Sequence, residues 1–133
     1  ESRTPEAIAA LAVKSRAAIG SHPDLRTPDD EIRAQVISDV TRSDRPMGVA
    51  RQYAAILAQP RWHDRLADLA HPTLVLHGAA DPLIKPACGE DIARRVPGAQ
   101  IEIFDKWGHD LPDAMMPVLA GRIAGFLNTA GAA

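Results

Sequence analysis

The chain has 133 residues, 46% of them hydrophobic, which is typical of one globular domain. It has 15 Lys and Arg residues against 17 Asp and Glu residues, a formal net charge of -2. This balance gives no electrostatic reason to expect a nucleic-acid partner or an anionic membrane surface. We expect no membrane span, because no apolar run approaches about 20 residues. Since Cys88 is the only cysteine, an internal disulfide is excluded, and the composition suits a reducing, cytoplasmic compartment.

The first half of the sequence contains only helical patterns. Thr4-Pro5-Glu6 and Thr27-Pro28-Asp29 each combine a capping hydroxyl with a proline at the first helical position, which predicts two helix starts. A third helix is predicted from near Pro46 to just before Pro60, and a short fourth segment follows it. The apolar residues at helical spacing are Ile8, Leu11, Ala12 and Ile19; then Ile32, Val36, Ile37 and Val40; then Val49, Tyr53, Ile56 and Leu57; and finally Trp62, Leu66 and Leu69.

The second half alternates between strand and helix patterns. TLVLH at 73–77 is a continuous apolar run, typical of a strand covered on both faces. A helix is predicted from Pro86 to about Val96, where Pro97-Gly98 ends it, and QIEIF at 100–104 predicts a second strand. After the loop DKWGHDLP, a last helix runs to about Asn128. This order predicts an α/β fold with a parallel βαβα unit, preceded by helices.

An acid and a histidine follow the two predicted strands. Asp81 lies in the turn HGAADPL after the first strand, and His109 lies in the loop after the second. Because the carboxyl ends of parallel strands share one edge of the sheet, we expect these side chains to meet there, where α/β proteins bind ligands. A carboxylate that accepts the imidazole Nδ1–H fixes the tautomer and stabilises the imidazolium formed when Nε2 takes a proton.

Each of these residues also has a structural interpretation. Asp81 before Pro82 could cap a turn, and His109 could be an ordinary exposed loop residue. We expect His77 to satisfy a local hydrogen bond and Cys88 to pack against its helix. The histidines lack metal-ligand spacing, so neither a metal nor another cofactor is predicted. Three other acids flank the histidine and rank below Asp81 as its partner: Asp105, Asp110 and Asp113.

HPTLVLHGAADPLIKP, PGAQIEIFDKWGHDLP and IAGFLN together resemble the C-terminal part of an α/β-hydrolase, within its bacterial esterase, lipase and methylesterase branch. The resemblance implies that 61–133 form the C-terminal part of the hydrolase core and that 1–60 form a helical cap. It implies that Asp81 is the triad acid and His109 the base. Near the histidine, three residues either line an acyl or leaving-group pocket or pack in the interior: Trp107, Leu111 and Met115.

The nucleophile of that family is missing from the sequence. It lies in G-x-S-x-G, and no serine of this chain stands in that motif. We therefore expect 1–133 to be the C-terminal segment of a longer protein whose N-terminal half precedes Glu1 and carries the serine, or to pair with a chain that carries the first strands. In either case we expect 1–133 to be inactive alone. Its substrate would be a small carboxylic ester. Two alternatives stay open: an aspartate nucleophile, as in epoxide hydrolases and dehalogenases, and a non-catalytic hydrolase-like binding module. The residue at the missing motif would distinguish them.

Overall fold

The computed structural model describes residues 3–130 and contains five α-helices and two strands within that range. In chain order these are α1 (Pro5–Ile19), α2 (Asp29–Arg42), α3 (Pro46–Ala58), β1 (Leu74–Gly78), α4 (Pro86–Arg95), β2 (Gln100–Phe104) and α5 (Met116–Ala130). Short 3-10 helices, His63–Asp68 and Asp113–Met115, precede β1 and α5. No helix in the described range is long and apolar enough to cross a membrane.

The two predicted helix starts differ in how they are capped. At α1 the hydroxyl of Thr4 accepts a hydrogen bond from the amide of Ala7 at 3.2 Å, as predicted for a capping residue. At α2 the N-cap position is Pro28 and no side chain caps the helix, so the predicted hydroxyl cap from Thr27 is wrong. The first turn of α2 is instead acidic, and its negative side chains interact favourably with the positive, N-terminal end of the helix dipole.

The strands form the predicted parallel pair. Their register runs from Leu74 opposite Gln100 to Gly78 opposite Phe104, so both strands end at the same level. The connecting helix α4 packs against both strands. After α4, Gly98 has a φ of 71°, a left-handed conformation that glycine adopts without a steric penalty and that lets the chain turn into β2. The loops after β1 and β2 therefore leave from one edge of the sheet.

Burial in β1 is lower than the apolar run predicts. Leu74 to His77 are half-buried in the described chain, and only Gly78 is fully buried. The expectation that this strand is covered on both faces is therefore not met by the described residues. In α4, Cys88 is exposed, so the predicted packing of this cysteine is wrong. Gly89 is the residue that faces the sheet, since a Cβ there would lie 2.9 Å from the His77 Nδ1 atom.

The chain divides into two compact units. The first, which we call the helical unit, contains the chain up to Val13 together with Pro28–Trp62; the second, the strand unit, contains Lys14–Thr27 and the chain from His63 onward. The boundary between Trp62 and His63 lies close to the predicted one between a cap at 1–60 and a core at 61–133, and the roles of these parts as cap and core stay predictions. However, Lys14–Thr27 groups with the strand unit. Residues 1, 2 and 131–133 of that prediction lie outside the described residues.

Within the helical unit, few side chains are deeply buried. Ile32 of α2 is 1% exposed, whereas α3 has no buried residue in the described chain. The apolar residues predicted to share one face of α3 are all exposed, at 77% for Val49, 64% for Tyr53, 59% for Ile56 and 69% for Leu57. The helix and its apolar residues are thus as predicted, but the described residues do not cover them.

Candidate active site

Asp81 is held in a tight turn immediately after β1. One carboxylate oxygen, Oδ1, accepts hydrogen bonds from the amides of Leu83 at 2.8 Å and Ile84 at 2.9 Å. The Asp81 amide donates to the Gly78 carbonyl at 3.2 Å. The residue is only 8% exposed. The turn-capping interpretation of Asp81 is therefore correct, and it leaves the second oxygen, Oδ2, available for another partner.

That partner is His109. Its Nδ1 lies 2.8 Å from Oδ2 of Asp81, although the residues are 28 positions apart in the sequence. Because an ionised carboxylate can only accept, Nδ1 carries the proton and donates it, which leaves Nε2 of a neutral ring with a free lone pair. The imidazole is 44% exposed, whereas the Asp81 side chain is 9% exposed. The pair is therefore buried on its acid side and accessible on its base side.

Opposing effects act on the pKa of Asp81. Burial raises this pKa, but hydrogen bonds from the Ile84 amide, the His109 ring and the Leu83 amide lower it, as does the positive charge of a protonated His109. The net effect is a pKa below the ordinary aspartate value. The carboxylate is thus held in its charged form, which is the form that orients an imidazole.

The two loops of the pair are also joined through their backbones. The amide of Ala79 donates to the Phe104 carbonyl at 2.9 Å, and the amide of Ala80 donates to the Trp107 carbonyl at 3.0 Å. Gly78 permits this approach, because a Cβ at that position would lie 2.1 Å from the Trp107 oxygen. The glycine in HGAADPL is therefore required for the close approach of the loop that carries the histidine.

On its other side, the histidine loop is bound by the last residue of α1 and the segment that follows it. The His109 amide donates to the Ile19 carbonyl at 2.8 Å, and the His22 amide donates to the Lys106 carbonyl at 2.9 Å. Ser21, which is 5% exposed, lies between these two backbone bonds. Its amide and hydroxyl both donate to Oδ1 of Asp110, at 3.0 and 2.5 Å, and its Oγ accepts from the Gly108 amide at 3.0 Å.

Ser21 was not among the predicted site residues. It is separated from Asp110 by 89 positions, and neither residue stands in a spacing that links them. In the sequence Asp110 is only a rival acid, but in the structure its carboxylate bonds to Ser21, whereas the histidine ring bonds to Asp81. The one signal in the sequence is the glycine before Ser21, a residue that commonly ends a helix.

The three predicted pocket residues have different environments. Trp107 packs edge-on against Phe104, with ring centroids 5.7 Å apart, and its indole N–H donates to the Asp110 carbonyl at 2.5 Å. Met115 is buried at 5% exposure, whereas Leu111 is 65% exposed. Trp107 thus makes contacts within the described chain and Met115 is buried in it, whereas a substrate-lining role for the three residues stays a prediction.

His77, at the end of β1, satisfies a local hydrogen bond as predicted. Its Nε2 lies 2.9 Å from the Ile84 carbonyl oxygen, and because a carbonyl only accepts, this nitrogen is the donor. The bond ties the far end of the acid turn back to the strand. Among residues 3–130, no group of three or more His, Cys, Asp or Glu side chains is arranged to hold a metal ion.

Comparisons with known proteins agree on the fold. A family model described as serine aminopeptidase, S33, matches residues 4–113. The pimeloyl-[acyl-carrier protein] methyl ester esterase of Aromatoleum aromaticum is 39% identical over 54 residues, which are 41% of this chain and 22% of that protein.

Two solved structures are similar along most of the chain. A hydrolase from Pseudomonas aeruginosa PA01 has a TM-score of 0.64 at 20% identity, covering 100% of this chain and 46% of that one. Est816, described as an N-acyl homoserine lactone degrading enzyme, has a TM-score of 0.58 at 23% identity, covering 89% of this chain and 46% of that one. The chain thus spans less than half the length of these relatives. It belongs to the S33 serine aminopeptidase family of the α/β-hydrolase superfamily, with the fold of the C-terminal part of such a hydrolase.

Proposed function

We propose that this chain provides the acid and the base of a serine-dependent carboxylic-ester hydrolase, with Asp81 as the acid and His109 as the base. The observation that carries the proposal is the 2.8 Å hydrogen bond between His109 Nδ1 and Asp81 Oδ2 at the carboxyl edge of a parallel strand pair. The membership of the chain in a hydrolase family supports the same assignment.

The geometry suits a proton carrier. With its Nδ1 proton bound to Asp81, His109 Nε2 takes the proton of a serine hydroxyl as that oxygen attacks the ester carbonyl carbon. The imidazolium then donates this proton to the alcohol that leaves as the tetrahedral intermediate collapses to an acyl-enzyme. In the second half of the reaction, His109 accepts a proton from water, which attacks the acyl carbonyl, and returns it to the serine oxygen.

The nucleophile of this proposal lies outside residues 1–133, since no serine of the chain stands in G-x-S-x-G. The missing N-terminal half of the protein is therefore the proposed partner, and we expect 1–133 to be inactive alone. Serine is favoured over aspartate as the nucleophile because the matching family is described as a serine aminopeptidase.

The proposed substrate class is a small carboxylic ester. One relative is named for a methyl ester and another for an acyl homoserine lactone, which is a cyclic ester. We propose that residues 1–60 form the cap that shapes the substrate site. In that role its exposed α3 residues would supply apolar surface for the acyl or alcohol group.

The test is hydrolysis of short-chain p-nitrophenyl esters by the full-length protein that contains this chain. His109→Ala should lower kcat/KM by about 10²- to 10⁴-fold, the usual contribution of a general base. His71→Ala is the matched control, because His71 is also exposed and its side chain is not part of the site. Activity that survives His109→Ala unchanged would overturn the assignment.

Two further measurements separate the alternatives. An aminoacyl p-nitroanilide, which contains an amide bond, is assayed beside the esters, and preference for the anilide would contradict the ester class. If the full-length protein binds acyl esters without hydrolysing them, this result would contradict an enzymatic function. It would support the alternative of a non-catalytic, hydrolase-like binding module.

A further inference from the structure

The cluster formed by Ser21, Gly108 and Asp110 has no place in the proton transfers described above. Ser21 is 5% exposed, and its Oγ both donates to Asp110 and accepts from the Gly108 amide. The Ser21 hydroxyl thus bonds to Asp110 and Gly108, whereas the imidazole of His109 bonds to Asp81. Ser21 is therefore a structural partner of the histidine loop and not a nucleophile for His109.

The cluster holds the residues on both sides of the histidine. Gly108 precedes His109 and is bound through its amide by Ser21 Oγ, at 3.0 Å. Asp110 follows His109 and is bound through its side chain by the Ser21 amide and hydroxyl. The His109 amide itself donates to the Ile19 carbonyl at 2.8 Å. Three consecutive residues of the loop are thus fixed by two residues of one short segment.

The approach of these segments leaves no room for a side chain. A Cβ on Gly108 would lie 2.3 Å from the carbonyl carbon and oxygen of Gly20, well inside van der Waals contact. The absence of a side chain at 108 therefore places the Ser21 hydroxyl against the backbone next to His109. Because Asp81 fixes only the ring Nδ1, the backbone of the loop must be fixed by other groups.

We propose that Ser21 and Asp110 are positioning residues that orient His109 toward Asp81 by fixing the backbone on either side of the histidine. The inference rests on the proposed acid–base function of that pair. Ser21 donates both of its hydrogen bonds to one oxygen of Asp110, Oδ1. The proposal therefore requires a hydrogen-bond acceptor at this position but does not require its negative charge.

The test compares four variants of the full-length protein. Ser21→Ala and Asp110→Ala each remove part of the cluster, whereas Asp110→Asn keeps an Oδ1 acceptor and removes the charge. Asp24→Ala is the matched control, because Asp24 lies in the same segment and contacts the same loop through Lys106, but both side chains are more than half exposed. Melting temperatures show which variants fold.

The first measurement is ester hydrolysis. Ser21→Ala and Asp110→Ala should lower kcat by about 10- to 100-fold with KM nearly unchanged, because a misplaced base affects the transition state and not substrate binding. Asp110→Asn should retain most of the activity, and Asp24→Ala should match the wild type. A loss in Asp110→Asn as large as in Asp110→Ala, or an unchanged kcat in Ser21→Ala, would overturn the proposal.

The second measurement needs no activity. In protein labelled with ¹⁵N-histidine, the Nδ1–H signal of His109, assigned by its loss in His109→Gln, should shift or broaden in Ser21→Ala and Asp110→Ala and persist in Asp110→Asn. If the wild type hydrolyses no substrate, the proposed function fails, and this signal alone decides the positioning role. If Ser21→Ala does not fold, the two Asp110 variants decide it, and an unchanged His109 signal in Asp110→Ala would contradict the inference.

Discussion

The helical unit and the strand unit differ in the interactions that define their structure. In the strand unit, the loop that carries His109 is hydrogen-bonded to the turn of Asp81 on one side and to the segment around Ser21 on the other. In the helical unit, α3 has no buried residue in the described chain, and Ile32 is the buried side chain of α2. The buried polar residues of the described chain, Ser21 and Asp81, both belong to the candidate site, whereas the buried residues of the helical unit are the apolar Ala9, Val13 and Ile32.

The largest expected effect comes from replacing Asp81, a hydrogen-bonded residue of the strand unit. In Asp81→Asn, the amide side chain cannot accept the Nδ1–H bond with a full negative charge, and the opposite tautomer of His109 is favoured. We expect kcat for ester hydrolysis to fall by about 10⁴-fold. The measurement is steady-state kinetics of the full-length protein, and near-wild-type activity would show that the acid is another residue.

Truncating a buried apolar side chain of the helical unit should give a smaller effect, on stability instead of activity. Ile32→Ala removes a side chain that is 1% exposed and should lower the free energy of unfolding by about 2–5 kcal/mol. Val49→Ala is the matched control in α3, and because Val49 is 77% exposed, its effect should stay within about 0.5 kcal/mol. Urea denaturation of the full-length protein measures both. A large loss in Val49→Ala would show that the apolar face of α3 is covered in that protein.

The smallest effect is confined to acid pH. Since the pKa of Asp81 is lowered in the folded protein, its ionised form stabilises the fold above the pKa of an unfolded aspartate, which is about 3.9. This contribution should be lost as the pH falls through the lowered, folded-state pKa. Unfolding free energies measured from neutral to strongly acid pH should therefore decline less steeply in Asp81→Asn than in the wild type. Parallel curves for the two proteins would contradict the lowered pKa.

The sequence predicted the parts of the fold that depend on local signals. The strand at 100–104 and the ends of α1 and α3 follow from hydrophobic periodicity, prolines and glycines. The contact between Asp81 and His109 could be predicted because two parallel strands bring their following loops to one edge. The roles of these two residues in catalysis remain predictions for the kinetic experiments.

Two other features could not be predicted, and for different reasons. Ser21 and Asp110 meet because the segment after α1 lies against the loop after β2, and the order of helices and strands does not determine that approach. The exposure of the α3 residues depends on what covers the helix, which helical spacing does not reveal. Periodicity identifies a face of a helix, but burial is a property of the tertiary structure.

The two oxygens of Asp81 have different partners, so a single side chain connects the turn after β1 to the orientation of His109. One oxygen builds the turn through Leu83 and Ile84, and the other holds the imidazole. A rearrangement of this turn therefore moves the same carboxylate that bonds to the ring. In the proposed mechanism, a conformation in which this turn is open is therefore an inactive one, because its carboxylate no longer orients the base.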